Sequence, residues 1–311
     1  MSKFFITGGA GYVGAILVGD LLEQGHKVTV LDNFAYRQNS LANHFINPNL
    51  EVHVGDCRDA DLIRKISADA EWIIPLAAIV GAPACRKDPI AARSINIDAQ
   101  LALFNISSSD QKIIMPTTNS AYGTTKPGTW STEESILNPI SEYAQHKVEV
   151  EKALMVRGNS TSFRLATVFG MSPRMRLDLL VNDLVYRAIN DRSVVLFEGD
   201  FVRNFIHVKD VSSAIRHAVE NWDDMRNEIY NVGLTSANLS KRELCLQIGK
   251  MVPNFKFVES DVGMDPDQRN YQVSNEKIES TGWKPSITLE VGINELIKGL
   301  RTLNNRVYGN V

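Results

Sequence analysis

Residues 7–14 read Thr7-Gly8-Gly9-Ala10-Gly11-Tyr12-Val13-Gly14, TGGAGYVG in one-letter code. An apolar run from Lys3 to Thr7 leads into these glycines, and an amphipathic stretch from Tyr12 to Glu23 leaves them, with Gly25 placed to end that helix in the left-handed conformation. This order of strand, tight turn and helix presents free backbone N–H groups at a helix N-terminus. Gly8, Gly11 and Gly14 carry no side chain that would hold a pyrophosphate away from them, and Gly9, Gly11 and Gly14 also satisfy the GxGxxG spacing. Asp32 closes the next apolar run, Lys27 to Asp32. A carboxylate there accepts from both hydroxyls of an adenosine ribose and repels a 2′-phosphate, so the pattern predicts NAD over NADP.

Outward from the turn, the runs Leu50 to Gly55, Trp72 to Ala77, Lys112 to Thr117 and Thr161 to Ala166 are rich in Val, Ile and Leu and separated by helix-length segments, which is how buried parallel strands read. Helices are predicted over 89–107, with Asp88 as cap, and over 142–156. The alternation predicts an α/β fold with a Rossmann-type doubly wound parallel sheet. Beyond Gly170 the rhythm loosens: helix from Leu177 to Ile189, short strands near Val194 and Glu228, helices near Lys241 and Leu289. The expected division is a dinucleotide-binding domain over 1–170 and a smaller mixed α/β substrate-binding lobe over 171–311, with some crossing of the chain between them.

Composition bounds the partners. The chain has 311 residues, 44% hydrophobic and 22% charged, with a formal net charge of −3. That balance gives no electrostatic footprint for nucleic acid or anionic lipid. No secretory signal and no run of membrane-spanning length appears, so a cytoplasmic protein is expected. Cys57, Cys85 and Cys245 fit neither a disulfide framework nor a zinc pattern, and no metal is expected.

Chemistry is suggested by Tyr143 and Lys147 in YAQHK, since a spacing of four puts both side chains on one face of the predicted helix. A free tyrosine titrates near about 10 and is a weak base at neutral pH unless a cation stabilises its phenolate; Lys147 supplies that charge. Together with the glycine turn, the pair points to hydride removal from a carbinol. A third group must orient the substrate hydroxyl. The strand ending Met115-Pro116-Thr117-Thr118 delivers hydroxyls to the carboxyl edge of the sheet, where ligands bind; spacing alone does not separate Thr117 from Thr118.

TGGAGYVG, Leu31-Asp32-Asn33, Gly55-Asp56, Leu76-Ala77-Ala78, Asn96, TTNSAYG at 117–123, YAQHK and RNFIHVKD at 203–210 resemble, in order and over nearly the whole chain, the extended short-chain dehydrogenases of the NAD-dependent epimerase/dehydratase family, which act on nucleotide-linked sugars. The resemblance implies that Thr118, four residues before Tyr122, is the catalytic Ser/Thr beside Tyr143 and Lys147. It places Tyr12, Val13, Asn33, Asp56, Cys57, Leu76, Ala77, Ala78, Asn96 and Thr117 along the NAD. It also implies that Arg203 and Arg269 pair with the nucleotide diphosphate, the planar guanidinium suiting phosphate oxygens. Asn119, Ser120, Asn182, Arg174 and Arg176 are expected on the sugar or base side. Relatives of this kind pair as homodimers through the helices at 89–107 and 142–156.

Departures from the family pattern narrow the reaction. Dehydratases carry Asp-Glu after the catalytic threonine, and this chain has Asn119-Ser120; a 3,5-epimerase carries Cys where Ser120 stands. The customary His before Leu76 is Pro75, and the customary Asn of RxxNxxG is Thr167. The segments Phe163 to Asp183 and Asp265 to Pro285, with Pro75 to Cys85, resemble the subgroup that oxidises C4 of a GDP-linked heptose for a bacterial surface polysaccharide. A nucleotide-sugar 4-epimerase is the alternative reaction, and a non-catalytic NAD-binding regulator the alternative of another class.

Overall fold

The computed structural model describes residues 1–37, 39–126, 128–260 and 269–303. Six strands follow the apolar runs of the N-terminal part: β1 (Lys3–Thr7), β2 (Lys27–Asp32), β3 (Leu50–Val54), β4 (Trp72–Pro75), β5 (Lys112–Thr118) and β6 (Ser160–Leu165). The seventh, β7 (Ile229–Val232), comes from beyond residue 170. All pair in parallel in the order β7-β6-β5-β4-β1-β2-β3. The chain winds one way from β1 through β3 and the other way from β4 through β7. The carboxyl ends of β1 and β4 therefore face a crevice, with Thr7 opposite both Leu31 and Pro75.

Alternation along the strands decides which helices cover which face. Phe4, Ile6, Val28, Val30, Trp72 and Ile74 pack on the side of the helices Gly14–Glu23 and Val208–Glu220, with Leu17, Leu21, Val211 and Ile215. Phe5, Leu31, Ile73, Ile113 and Met115 pack on the other side with Leu103 and Phe104 of Ala99–Ile106 and with Val150 and Leu154 of Glu142–Arg157. Central β1 is buried on both faces, the reason its sequence is a continuous apolar run rather than an alternating one.

The helix expected without interruption over 89–107 consists of three pieces. Pro89–Arg93 is capped by the Asp88 carboxylate, which accepts from Ala91 N at 2.9 Å; Ser94–Asp98 is a widened π turn, and Ala99–Ile106 resumes the α geometry. The widened turn aims the Asn96 amide at Ile79, accepting from its N–H at 2.8 Å and donating to its C=O at 2.9 Å. The helix expected from Leu177 begins at Leu180, with Leu179 extended before it.

The remaining residues build a second core around Val181, Leu184, Val185, Phe205, Leu244, Ile248, Ile293 and Leu296. Its mixed sheet centres on Val202–His207, antiparallel to Asn238–Ser240 and parallel to Thr167–Phe169. No helix among the described residues is long and apolar enough to cross a membrane.

Candidate active site

A cleft of about 760 Å³ runs from the glycine turn to the second lobe. At one end, Gly8 adopts φ +70° and sits so near β4 that a Cβ there would lie 2.6 Å from Ala77 N; at Gly14 a Cβ would lie 2.5 Å from Gly8 O. The turn thus needs glycine for its backbone conformation at one position and for close approach at both. Asp32 faces the turn: Oδ2 accepts from Ala10 N at 3.0 Å and Oδ1 from Phe34 N at 2.8 Å. Burial pushes its carboxyl above the ordinary range, against these two bonds and the nearby Arg174 charge. A bare glycine cradle with a carboxylate at the end of the second strand fits the pyrophosphate and ribose of a dinucleotide.

The middle of the cleft is walled by Thr117, Thr118, Ser120, Tyr143 and Lys147. The Tyr143 helix starts at Ser141, whose hydroxyl accepts from Ala144 N at 3.3 Å, and the four-residue spacing puts both Tyr143 and Lys147 on the cleft wall. Lys147 Nζ donates to Pro116 O at 3.2 Å, tying the helix to the end of β5. Burial pushes the Lys147 ammonium down to about 8. Burial also pushes the Tyr143 phenol up to about 12, against the positive charges of Arg176 and Arg269.

The two threonines have different employment. Thr117 Oγ1 donates to Glu151 Oε2 at 2.9 Å and lies 3.1 Å from Ser162 Oγ, inside a buried network in which Glu151 is gripped by Arg164 at 2.6 Å. Thr118 Oγ1 meets Ser120 Oγ at 2.8 Å and accepts from Ser120 N at 3.1 Å, staying at the cleft. Both threonines line the cleft, but they differ in what their hydroxyls meet: the Thr117 hydroxyl meets partners far off in sequence, the Thr118 hydroxyl one two residues on.

The cleft gathers most of the residues singled out in the sequence: Gly8, Gly11, Tyr12, Val13, Gly14, Asp32, Asn33, Cys57, Leu76, Ala77, Ala78, Arg174, Arg176, Arg203 and Arg269 line it with the central group. Four others do not line it. Asp56 is engaged by Arg58 at 2.9 and 2.5 Å. Asn96 holds Ile79. Asn182 accepts from Gly170 N at 3.0 Å and donates to Arg176 O at 2.9 Å and Tyr12 Oη at 3.2 Å. Asn119 is fully buried, and its amide meets no hydrogen-bond partner among the described residues. Tyr12 has a second duty, its hydroxyl donating to Gly170 O at 2.6 Å and pinning the glycine turn to the second lobe.

Wall residues without a motif escaped the sequence reading. Tyr36 lies beneath Arg174, 3.9 Å from guanidinium carbon to ring centroid. Asp178 pairs with the already expected Arg176 at 3.2 and 2.5 Å. Lys241 follows the helix cap Ser240, whose reciprocal bonds with Glu243 mark a helix start, so the segment reads as a capping box and nothing more. Among the described residues no group of His, Cys, Asp and Glu is arranged to hold a metal.

Comparison with known proteins agrees with this geometry. The sequence model described as the NAD dependent epimerase/dehydratase family matches residues 4–233. The low-salt glycan biosynthesis protein Agl12 of Haloferax volcanii is 27% identical, covering 93% of this chain and 95% of its own length. A putative UDP-glucose 4-epimerase of Methanocaldococcus jannaschii is 26% identical over 97% of this chain and 99% of its own. Among solved structures, the UDP-N-acetylglucosamine 4-epimerase of Methanobrevibacter ruminantium, in complex with UDP-N-acetylmuramic acid, superposes with a TM-score of 0.83 at 25% identity, covering 96% of this chain and 97% of its own.

Proposed function

Because this chain belongs to the NAD-dependent epimerase/dehydratase family, we propose that it oxidises the C4 hydroxyl of a nucleotide-linked sugar, with Tyr143 as base, Lys147 as its charge partner and Thr118 orienting the hydroxyl. The observation that carries this reading is that these three side chains share one cleft with the glycine cradle and Asp32. NAD, held at Gly8, Gly11, Gly14 and Asp32, supplies a hydride acceptor when bound. Everything else falls to the chain. A phenol at about 12 is ionised in only about one molecule in 10⁵ at pH 7. Arg176 and Arg269 already pull it down, and Lys147 on the same wall, its ammonium brought down to about 8 by burial, is the further cation this reading assigns to it. Tyr143 then takes the hydroxyl proton while Thr118 fixes the oxygen.

The finer reading is a GDP-D-glycero-α-D-manno-heptose 4-dehydrogenase of surface-polysaccharide assembly. It is supported by the resemblance of 163–183 and 265–285, of which 265–268 lie outside the described residues, and by Arg203 and Arg269 on the cleft as diphosphate partners. Asn119 and Ser120 in place of an acid pair argue against dehydration. The 4-epimerase reading has the names of the relatives in its favour. Two copies pairing through the helices at 89–106 and 142–157 would cover Ile90 and Val156, which are 85% and 89% exposed.

Mass analysis of GDP- and UDP-sugars after incubation separates the reactions: loss of two mass units for oxidation, no change for epimerisation, loss of water for dehydration. Tyr143→Phe is expected to slow NADH formation at 340 nm by about 10²- to 10⁴-fold with binding retained. A Tyr143→Phe protein that turned over like the parent would move the base elsewhere.

A further inference from the structure

Arg174 lines the cleft but takes no part in the proton and hydride transfer at Tyr143. It is 3% exposed and sits in the second-lobe loop that joins the strand Thr167–Phe169 to the helix Leu180–Asn190. That loop is tied to the glycine turn at two points: Tyr12 Oη donates to Gly170 O at 2.6 Å, and Ser172 Oγ donates to Tyr12 O at 2.7 Å. Arg174 stands two residues beyond Ser172, and the next residue, Met175, is buried in the second core. The loop thus belongs to one lobe and is fastened to the dinucleotide turn of the other.

From the other side, the chain leaving β2 comes to meet it. Asp32 Oδ1 accepts from Phe34 N at 2.8 Å, Arg37 N donates to Phe34 O at 2.9 Å, and Tyr36 lies inside the turn so closed. Phe34 and Arg37 hold φ +50° and +54°, left-handed conformations that cost free energy in residues with side chains and are met most often at functional sites. The turn sets the Tyr36 ring against the Arg174 guanidinium, whose carbon is 3.9 Å from the ring centroid. Stacking of this kind fixes the plane of the guanidinium before any ligand arrives. Asp32, Tyr36, Arg37 and Arg174 all line the cleft, and the Arg174 charge reaches the Asp32 carboxylate.

We propose that Arg174 is a cofactor residue, that it faces the 2′ position of the adenosine ribose beside Asp32, and that the balance of these two side chains sets the choice between NAD and NADP. This rests on the assignment of Asp32 to the ribose and adds to it a residue of the second lobe, one that the family resemblance puts on the sugar or base side. A 2′-hydroxyl donates to the carboxylate and needs no cation. A 2′-phosphate carries more than a single negative charge at neutral pH. Asp32 repels it, whereas the guanidinium offers a fork matched to its oxygens. Neutralising Asp32 leaves two arginines at this end of the cleft, of which Arg174 is buried and stacked while Arg37 is exposed. Arg174 is accordingly the phosphate partner that the Asp32 charge keeps out of use.

The test is calorimetric titration of the full chain with NAD and with NADP, for the parent, Asp32→Asn, Arg174→Met and the double variant. Asp32→Asn is expected to tighten NADP by about 10- to 100-fold, the worth of a charge-assisted pair with phosphate. Arg174→Met should widen the parent's preference for NAD. The double variant should lose most of the NADP gain while binding NAD within about threefold of Asp32→Asn. Should Arg174→Met fail to fold, Asp32→Asn with Tyr36→Leu, a change at a ring 44% exposed, tests the same pairing: NADP should weaken severalfold and NAD hold. Asp32→Asn with Arg37→Met should keep the gain, and its loss there would give the phosphate to Arg37 and overturn the inference. An Asp32→Asn protein that gains nothing toward NADP, an Arg174→Met protein weakened equally toward both dinucleotides, or a double variant that holds NADP as tightly as Asp32→Asn also overturns it. If Asp32→Asn leaves NAD unchanged as well, the assignment of Asp32 to the ribose falls with it.

Discussion

Replacing Thr117 and Thr118 separately by valine should divide stability from chemistry. Both hydroxyls are buried and one residue apart, and valine keeps the shape of threonine while removing the oxygen. At Thr117 the loss falls on Glu151, which keeps Arg164 at 2.6 Å and Ser162 at 2.7 Å but loses a donor at 2.9 Å. Depriving a buried carboxylate of one of several donors costs about 1–3 kcal/mol, here toward the lower end because the guanidinium remains. Thr117→Val should thus unfold at lower urea concentration and, while folded, turn over within about twofold of the parent. Among the described residues the Thr118 hydroxyl bonds only to nearby Ser120, so its deletion should cost little stability. Its effect should appear in the chemical step, where removing a donor to the reacting oxygen costs about 10²- to 10³-fold. Urea titration gives the first number and single-turnover absorbance at 340 nm the second. A folded Thr118→Val protein that turned over like the parent would remove its hydroxyl from the chemical step.

Asp32→Arg should weaken NAD and improve NADP binding, since it exchanges a ribose acceptor for a phosphate partner; unchanged discrimination in a fluorescence titration would remove Asp32 from the cofactor site. Glu295 gives an acid limb to stability. Burial works to raise its carboxyl, but hydrogen bonds from His207 at 2.7 Å and Met171 N at 2.9 Å hold it down to about 2. With an unfolded value near about 4.3, the depressed carboxyl contributes on the order of 3 kcal/mol above about pH 5, lost as pH falls toward 2. Urea midpoints followed from pH 6 to pH 2.5 should therefore drop more steeply for the parent than for Glu295→Gln, and parallel curves would contradict the assignment.

The fold and the core of the site were legible where the physics is local. Glycines needed for a tight turn, apolar runs of strands buried on both faces and a tyrosine and lysine one helical turn apart all write their requirement into adjacent residues. The parallel sheet follows from the same alternation, but not its strand order, and its last strand, Ile229–Val232, reaches the sheet only after the chain has built most of the second lobe. The interruption of the helix at Ser94–Asp98 was not legible, because it depends on Ile79 standing opposite Asn96.

By itself the sequence determined the dinucleotide turn, the parallel sheet and the Tyr143–Lys147 pair, since each is fixed by spacing within a single element. Only the tertiary structure decided what the polar side chains are for. Thr117 is turned inward by Glu151, and Asn182 is held by Gly170, Tyr12 and Arg176. A buried polar group takes its direction from the partner that satisfies it, and such partners come from wherever the fold delivers them, at no fixed distance along the chain.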